Sequence, residues 1–274
     1  MLLAFDTSTS VASVALVADP ADSADSPGAA EDALLVAELT WQVGQRHSTE
    51  LFERLEWLLA ASRLSMNDLT GVAVALGPGS FNGVRVALAT AKSLAFARGV
   101  PLYGVPTLDI IAWGHRLSGG TICAILEAGR GQLYAAIYAA ARPDAARWEP
   151  VAGYTVLTAA ELAAQVHSEV LCCGEMSAET RAALANALGG RCRATSALDA
   201  RRASWLAELA LARSASQRYD DPVALEPLYL RRPAITTSAR RGLPTPAEGA
   251  DEAAGNTTMA RQQGSATMRR EERE

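Results

Sequence analysis

The sequence predicts an α/β protein in which a mixed sheet with flanking helices is followed by a smaller α/β part. Two observations lead to this prediction, and a third concerns the end of the chain. Short apolar runs rich in β-branched residues, typical of strands, are bounded by turn residues. Between them lie longer segments whose apolar residues recur every three or four positions, as in helices. From about residue 236 onward large apolar residues nearly vanish, which predicts a disordered tail over 236–274.

The chain begins with two apolar runs that predict an antiparallel hairpin. Leu2–Asp6 and Val11–Ala18 are joined by a short polar turn, and Ala33–Trp41 predicts a third strand. We expect the Asp6 carboxylate to order the turn by accepting nearby N–H groups. The Ala-, Asp- and Ser-rich insert at 19–32 predicts a solvated loop.

The first predicted helix is Ser48–Ser62, with Ser48 as its N-cap. Leu51 and Leu55 belong to its apolar stripe, whereas Phe52 and Trp57 lie away from the centre of that stripe. This helix therefore carries more apolar surface than one interface needs.

The stretch 72–98 has the most distinctive pattern in the chain. Val72–Leu76 predicts a buried strand, residues 77–83 predict a tight glycine-rich loop, and Val84–Arg98 predicts a helix that ends at Gly99. We expect five residues to have a structural role in or beside this loop: Asp6, Gly77, Gly79, Gly83 and Arg85.

A strand, a glycine-rich loop and a helix in succession also occur in phosphate-binding proteins. Here no lysine follows Gly83, and Gly83 stands one position too late for the dinucleotide-binding spacing after Gly77 and Gly79. A tight strand-to-helix turn is therefore favoured over a phosphate cradle, and both remain open. Small residues along the helix from Gly83 to Ala95 form a smooth face, which suits either a partner helix or the chain's own sheet.

The second half predicts a further β-α series. Its predicted elements are strands at Leu102–Val105, Thr121–Leu126, Leu133–Ala139 and Val170–Gly174, and helices at 106–117, Ala159–Val166, Ala178–Leu188 and Ser204–Ser216. The segment 222–232 predicts irregular structure.

Composition excludes several classes of function. A net charge of −5 argues against independent nucleic-acid binding, although a partner could supply the basic surface. The four cysteines contain no C-x-x-C pair, which excludes a zinc pattern and a disulfide framework. Neither a signal peptide nor a membrane-spanning run is found, so a soluble cytoplasmic protein is expected.

Several motifs together resemble the TsaB family, over about residues 1–235 without the insert. These motifs are Asp6-Thr7-Ser8-Thr9, His47-Ser48, the run Gly77–Arg85 (GPGSFNGVR), Ala91–Ala95 (AKSLA), Gly104-Val105 and Pro227-x-Tyr229-Leu230-Arg231. The GPGSF-x-G-x-R run with the downstream A-K-x-L-A is the specific part. The chain differs from the family at Asn82, where threonine is usual, and at Gly129, where arginine is usual.

The resemblance implies an actin-like fold of the sugar-kinase and Hsp70 type, with lobes at 1–104 and 105–235. It implies a non-catalytic subunit in the synthesis of N6-threonylcarbamoyladenosine (t6A) at position 37 of tRNA. Its partners would be a catalytic TsaD-like subunit and a TsaE-like ATPase, with tRNA reached only through the complex. Docking on TsaD would use the first two helices.

Residue types argue against catalysis by this chain itself. TsaD-like enzymes place a metal-binding histidine pair where this chain has Thr107 and Ile111, and isoleucine cannot coordinate a metal. The turn after Asp6 lacks the glycine that would let a phosphate approach. The sequence therefore predicts no catalytic, cofactor-binding or metal-binding residues. The alternative is an actin-like nucleotide-binding enzyme, a phosphotransferase or peptidase, acting alone.

The partner interface is predicted on the two helices, together with weak self-pairing when the partner is absent. Its predicted residues are Leu51, Phe52, Leu55, Val84, Leu88, Ala91 and Lys92. On this hypothesis Leu88→Glu should abolish TsaD binding and leave the fold intact.

Overall fold

A computed structural model of the chain describes residues 1–19, 33–43, 47–140, 143–195 and 200–231. The predictions for the 19–32 insert beyond Asp19 and for the 236–274 tail lie outside these residues. Within the described ranges, no helix combines the length and the apolar character needed to cross a membrane.

The first sheet has five strands in the order β3-β2-β1-β4-β5. Its strands are β1 (Leu2–Asp6), β2 (Val11–Ala18), β3 (Leu34–Gln42), β4 (Gly71–Ala75) and β5 (Leu102–Val105). β1 and β2 form the predicted antiparallel hairpin, with Leu2 opposite Val17, whereas β1 and β4 run parallel. The central strands are apolar on both faces, because helices cover both sides of the sheet.

Two helices, α1 (His47–Ala61) and α2 (Phe81–Arg98), pack on the outer side of this sheet. α1 begins one residue before Ser48, so Ser48 lies inside the helix rather than at its N-cap. α2 begins at Phe81, earlier than predicted, because Ser80 caps it and accepts the Gly83 N–H at 3.3 Å. Gly99, with φ of +65°, ends α2 as predicted.

The second sheet has five strands in the order β10-β9-β6-β7-β8. Its strands are β6 (Thr121–Gly129), β7 (Gln132–Ala139), β8 (Thr155–Leu157), β9 (Val170–Cys173) and β10 (Cys192–Ala194). β8 and β10 were not predicted, because three residues are too few to show an alternating pattern. Helices α4 (Ala159–Gln165) and α5 (Ala178–Leu188) pack on the outer side of this sheet.

The middle layer consists of α3 (Thr107–Gly114) and α6 (Ala203–Ala215). α3 is shorter than predicted, since a 3₁₀ turn at Arg116–Ser118 replaces its last residues. Apolar side chains of both helices join one buried cluster with the facing sides of the two sheets. α6 also packs directly on β1, β2 and β5. The division of the chain at residue 104 stays a prediction.

The segment 222–231 has neither helix nor strand, as predicted. It nevertheless connects the two sheets. The Leu228 N–H donates to the Leu76 carbonyl at 2.8 Å, and Arg231 donates to the Ala128 carbonyl at 3.0 Å. These hydrogen bonds hold the segment against the ends of β4 and β6.

Candidate functional site: the cleft between the sheets and the outer face of α1 and α2

The turn after β1 is ordered by its own side chains. Asp6 Oδ1 accepts the Ser8 N–H at 2.7 Å, a hydrogen bond within the turn itself. The Thr7 hydroxyl donates to the Gly83 carbonyl at 2.8 Å, and the Ser80 N–H donates to the Ser8 carbonyl at 2.5 Å. The turn after β1 and the start of α2 are therefore locked together.

The loop glycines make room for this contact. A Cβ at Gly79 would lie 2.0 Å from the Ser8 carbonyl oxygen, and a Cβ at Gly83 would lie 2.0 Å from the Thr7 carbonyl oxygen. A phosphate needs N–H donors, whereas these two neighbours present carbonyl acceptors. Of the two alternatives for this loop, the structure supports the tight turn packed on the chain's own backbone.

The two remaining loop residues have different surroundings. Gly77 has φ of +91° and packs beneath the Leu228 carbonyl, a backbone conformation that favours glycine. Arg85 does not take part in the loop. Its guanidinium lies 4.9 Å from the ring centroid of Phe81, on the exposed side of α2, so its predicted structural role in the loop is corrected to a surface contact.

Arg201 is the most heavily hydrogen-bonded side chain near the turn, and no sequence motif indicated its role. Its Nε donates to Asp6 Oδ2 at 2.7 Å, its Nη2 donates to the Val11 carbonyl at 3.0 Å, and its Nη1 donates to Thr9 Oγ1 at 3.1 Å and to Glu175. Burial alone would lower the pKa of this guanidinium, but the two carboxylates raise it above its usual value. All of its nitrogen atoms have partners, so Arg201 is not available to hold a ligand phosphate.

A cleft of about 630 Å³ opens beside this cluster, between the turns of the two sheets. Its walls include Thr9, Gly79, Glu127, Glu175 and Ser177. The N-terminus of α5 faces the cleft, but Glu127 accepts the Ser177 N–H at 2.8 Å and the Thr180 hydroxyl at 2.5 Å. These hydrogen bonds lower the pKa of Glu127. An internal carboxylate thus occupies the donors that an anionic ligand would use at this helix end.

Thr107 and Ile111, which stand where TsaD-like enzymes have a metal-binding histidine pair, lie on α3. Ile111 is buried in the central cluster, and the Thr107 hydroxyl is buried without a hydrogen-bond partner among the described residues. Within the same residues, no group of three His, Cys, Asp or Glu side chains is placed to share a metal ion.

The residues predicted for the interface divide into two sets. Leu51, Leu55, Val84, Leu88 and Ala91 are buried against the first sheet, whereas Phe52 is exposed and Lys92 is half-buried. The physical reason is their spacing, because residues three or four apart form the stripe that the helices turn toward the core. In this structure the five buried side chains are not available to a partner.

Burial also decides two further points about α2, namely what its small-residue face contacts and what Leu88→Glu would do. The smooth face from Gly83 to Ala95 is buried, so it packs against the chain's own sheet. Leu88→Glu would place a carboxylate in the core, and the expectation that this variant leaves the fold intact is corrected.

The exposed side of the same helices is rich in aromatic residues. We call it the outer helical face, and it consists of Phe52, Trp57, Phe81 and Phe96 with the small residues Ala89, Ser93 and Ala97. The exposed fractions are 44% for Phe52, 59% for Trp57, 43% for Phe81 and 86% for Phe96. Exposed apolar side chains on neighbouring helices are typical of interaction surfaces.

Comparison with protein families adds a match over most of the described chain. Residues 41–219 match the family model of TsaD, tRNA N6-adenosine threonylcarbamoyltransferase. The chain is 33% identical over 108 residues to the tRNA threonylcarbamoyladenosine biosynthesis protein TsaB of Bacillus subtilis, covering 39% of this chain and 47% of that protein. It is 34% identical over 96 residues to the Escherichia coli protein of the same name, covering 34% of this chain and 42% of that protein.

The alignments with these curated relatives span about half of their length. A structural match extends further. The structure of YeaZ from Pseudomonas aeruginosa superimposes with a TM-score of 0.66 at 24% identity, covering 84% of this chain and 99% of that one. The fold is therefore the actin-like, two-lobed α/β fold that the resemblance implied.

Proposed function

The chain belongs to the TsaB family, a branch of the proteins that the TsaD family model describes, and we propose that it is a non-catalytic subunit of the machinery that makes t6A in tRNA. Its role in this proposal is to bind a TsaD-like catalytic subunit and hold it in an active arrangement. A TsaE-like ATPase joins the same complex, in the cytoplasm.

The observation that carries the proposal is the outer helical face. Aromatic side chains are enriched at the centres of protein interfaces and among the residues that dominate binding energy, and α1 and α2 carry four exposed ones. Arg85, stacked on Phe81, supplies a positive charge beside the aromatic residues, and arginine is enriched at protein interfaces. Phe52 and Lys92 remain from the predicted interface set, and Trp57, Phe81 and Phe96 join them.

The cleft supports a subunit without chemistry of its own. The ion pairs of Arg201 use the Asp6 and Glu175 carboxylates, and Glu127 covers the start of α5. With a net charge of −5, the chain contacts tRNA through its partners rather than by itself. No cofactor is required for this role.

The experiment is co-purification of the full chain with the TsaD-like subunit, followed by an assay of t6A formation with TsaE and tRNA. We expect Phe52→Asp and Phe96→Asp each to lose the partner and the activity of the mixture while remaining folded. Leu117→Asp is the matched control, because Leu117 is 84% exposed and belongs to a 3₁₀ turn rather than to α1 or α2. Retention of the partner by both phenylalanine variants would contradict the proposed surface.

A second arm addresses the alternative, an actin-like enzyme acting alone. ATP with Mg²⁺ is titrated into the isolated chain by calorimetry. Saturable binding at physiological nucleotide concentrations, or t6A formation without the TsaD-like subunit, would favour the enzyme and contradict the proposal.

A further inference from the structure

A separate pocket of about 390 Å³ lies away from the outer helical face. Three parts of the chain line it: the connection from β5 to α3, the segment 145–154, and the C-terminal end of α6. Asp109 on α3 forms part of its wall, although only 6% of this residue is exposed. Trp148 and Tyr154 are aromatic wall residues. The volume falls in the range that small-molecule sites occupy.

The Asp109 carboxylate has acceptor capacity that the described residues leave unused. Oδ1 accepts the Tyr138 hydroxyl at 2.6 Å and the Tyr154 hydroxyl at 2.8 Å. Oδ2 accepts no hydrogen bond from the residues that the structure describes. Burial raises the pKa of Asp109 to about 6, the two tyrosine hydrogen bonds oppose this rise only in part, and the negative charge of Glu149 adds to it.

Among the residues that the structure describes, no cation forms an ion pair with this carboxylate. Arg213 lines the pocket but donates to Asp220 at 2.9 Å and to the Gly104 carbonyl at 2.7 Å. Arg218 lies at the exposed rim. A positively charged ligand that donates hydrogen bonds would therefore complete the site.

We propose that this pocket binds a small molecule bearing a primary ammonium group, which donates a hydrogen bond to Oδ2 of Asp109. An ammonium group supplies both the charge and the N–H donors that the carboxylate lacks. The aromatic walls of Trp148 and Tyr154 favour an organic cation over a metal ion. A hard metal ion would require several oxygen ligands, whereas the hydroxyls of Tyr138 and Tyr154 already donate to Asp109. This inference is independent of the proposed role in the complex.

The test uses three probes of matched shape, n-butylammonium, n-butanol and butyrate, added at constant ionic strength to the full chain. The readout is the NMR signal of the Trp148 indole N–H, which donates to the Asp109 carbonyl at 3.2 Å. We expect saturable shifts with n-butylammonium and none with butanol or butyrate. Equal responses to the three probes, or no saturation with the amine, would overturn the proposal.

Asp109→Asn keeps an acceptor for both tyrosines and removes the charge, so it should abolish the response to n-butylammonium. Glu169→Gln, which removes an exposed carboxylate outside the pocket, should respond as the wild type does. Undiminished binding by Asp109→Asn would overturn the proposal.

A pH series on the wild type provides a check that needs no variant. Because ammonium binding requires the ionised carboxylate, the affinity should be about tenfold weaker at pH 5 than at pH 7.5. Glu149, Arg213 and Arg218 also line the pocket, and burial raises the pKa of Tyr138 and Tyr154 above the usual value, so both tyrosines keep their protons over this range. An affinity independent of pH would contradict the assignment to Asp109.

The same ammonium chemistry occurs in free amines and at the end of a lysine side chain. Nα-acetyl-lysine amide is therefore titrated beside n-butylammonium. Tighter binding of the lysine derivative would identify a peptide side chain as the natural ligand, and weaker binding would identify a free amine; both results support the ammonium site.

Discussion

Arg201 Nε lies 2.7 Å from Asp6 Oδ2, and this ion pair joins residues 195 positions apart in the chain. The side chains of both residues are almost completely buried. The pair connects the turn after β1 to the segment that leads into α6, and Glu175 brings the end of β9 into the same cluster. The cluster therefore links elements of the first sheet, the second sheet and the middle layer.

Arg201→Met should destabilise the fold strongly. The substitution leaves the carboxylates of Asp6 and Glu175 without their cation, and breaking a buried ion pair costs about 3–5 kcal/mol. Urea unfolding followed by circular dichroism measures the loss. Arg193→Met is the control, because Arg193 is exposed and its ion pair with Glu169 is long, at 4.0 Å. This variant should change the free energy of unfolding by less than about 0.5 kcal/mol. Similar losses for the two variants would contradict a special role for Arg201.

Gly83→Ala should destabilise the protein even though Gly83 lies within α2. Alanine in a helix is ordinarily about 0.5–1 kcal/mol more favourable than glycine. Here the new Cβ would lie 2.0 Å from the Thr7 carbonyl oxygen, and relieving this overlap costs about 1–3 kcal/mol or more.

Gly120→Ala provides the comparison, because nothing lies within 4 Å of a Cβ at Gly120 and its backbone conformation suits alanine. Thermal unfolding should show a lowered Tm for Gly83→Ala and an unchanged or slightly raised Tm for Gly120→Ala. A gain in stability for Gly83→Ala would show that the turn after β1 does not pack on α2 as described.

Asp109 should make stability depend on pH in the direction opposite to that of a salt-bridged carboxylate. Its pKa is about 6 in the folded protein, against 3.8 ordinarily, because burial penalises the charge. Between these values the folded state binds more protons than the unfolded state, so the contribution of this group to the free energy of unfolding falls by about 3 kcal/mol as pH rises. The change is complete slightly above pH 6.

The Asp109→Asn variant has no ionisable side chain at this position. Comparing it with the wild type therefore isolates the contribution of Asp109 to the pH dependence of stability. The free energy of unfolding of the variant, relative to the wild type, should rise by about 2 kcal/mol from pH 4 to pH 7 in urea titrations. Glu169→Gln should run parallel to the wild type over that range. A constant difference between Asp109→Asn and the wild type would show that Asp109 titrates normally.

The isolated chain should self-associate weakly through the outer helical face. Phe96 is the most exposed of its aromatic side chains, and a second copy of the same surface can cover it when the partner is absent. Sedimentation velocity over a concentration series should show a dimer in the wild type and less dimer in Phe96→Asp. Leu117→Asp should behave like the wild type, and dimerisation unaffected by Phe96→Asp would place the contact elsewhere.

Sequence patterns were sufficient to predict those helices and strands whose bounds depend on neighbouring residues alone. The β1–β2 hairpin, β5 and α5 have the predicted bounds, because each is an apolar run or a periodic segment between clear turn residues. The start of α2 was placed too late, because capping by Ser80 lets Phe81, Asn82 and Gly83 enter the helix. The loop glycines were correctly placed at a turn, but only the structure shows which backbone they accommodate.

The candidate sites were less predictable. Periodicity identifies the buried stripe of a helix, so the residues that it selected, such as Leu51 and Leu88, are the ones turned away from a partner. Phe52 and Trp57, which lie off the stripe and are exposed, were the better indication of a surface that a partner can contact. Arg201 was missed because its partners are far away in the chain and no local motif surrounds it.

The shared central cluster restricts how this molecule can move. α3 and α6 bury apolar side chains against both sheets at once, so spreading the sheets apart would expose one continuous core. Two-lobed proteins that open and shut around a ligand turn about a hinge with few contacts across it. Here the two halves share one buried core instead, so we expect them to move as one rigid body, and in the proposed role this chain would present a fixed surface to its partner.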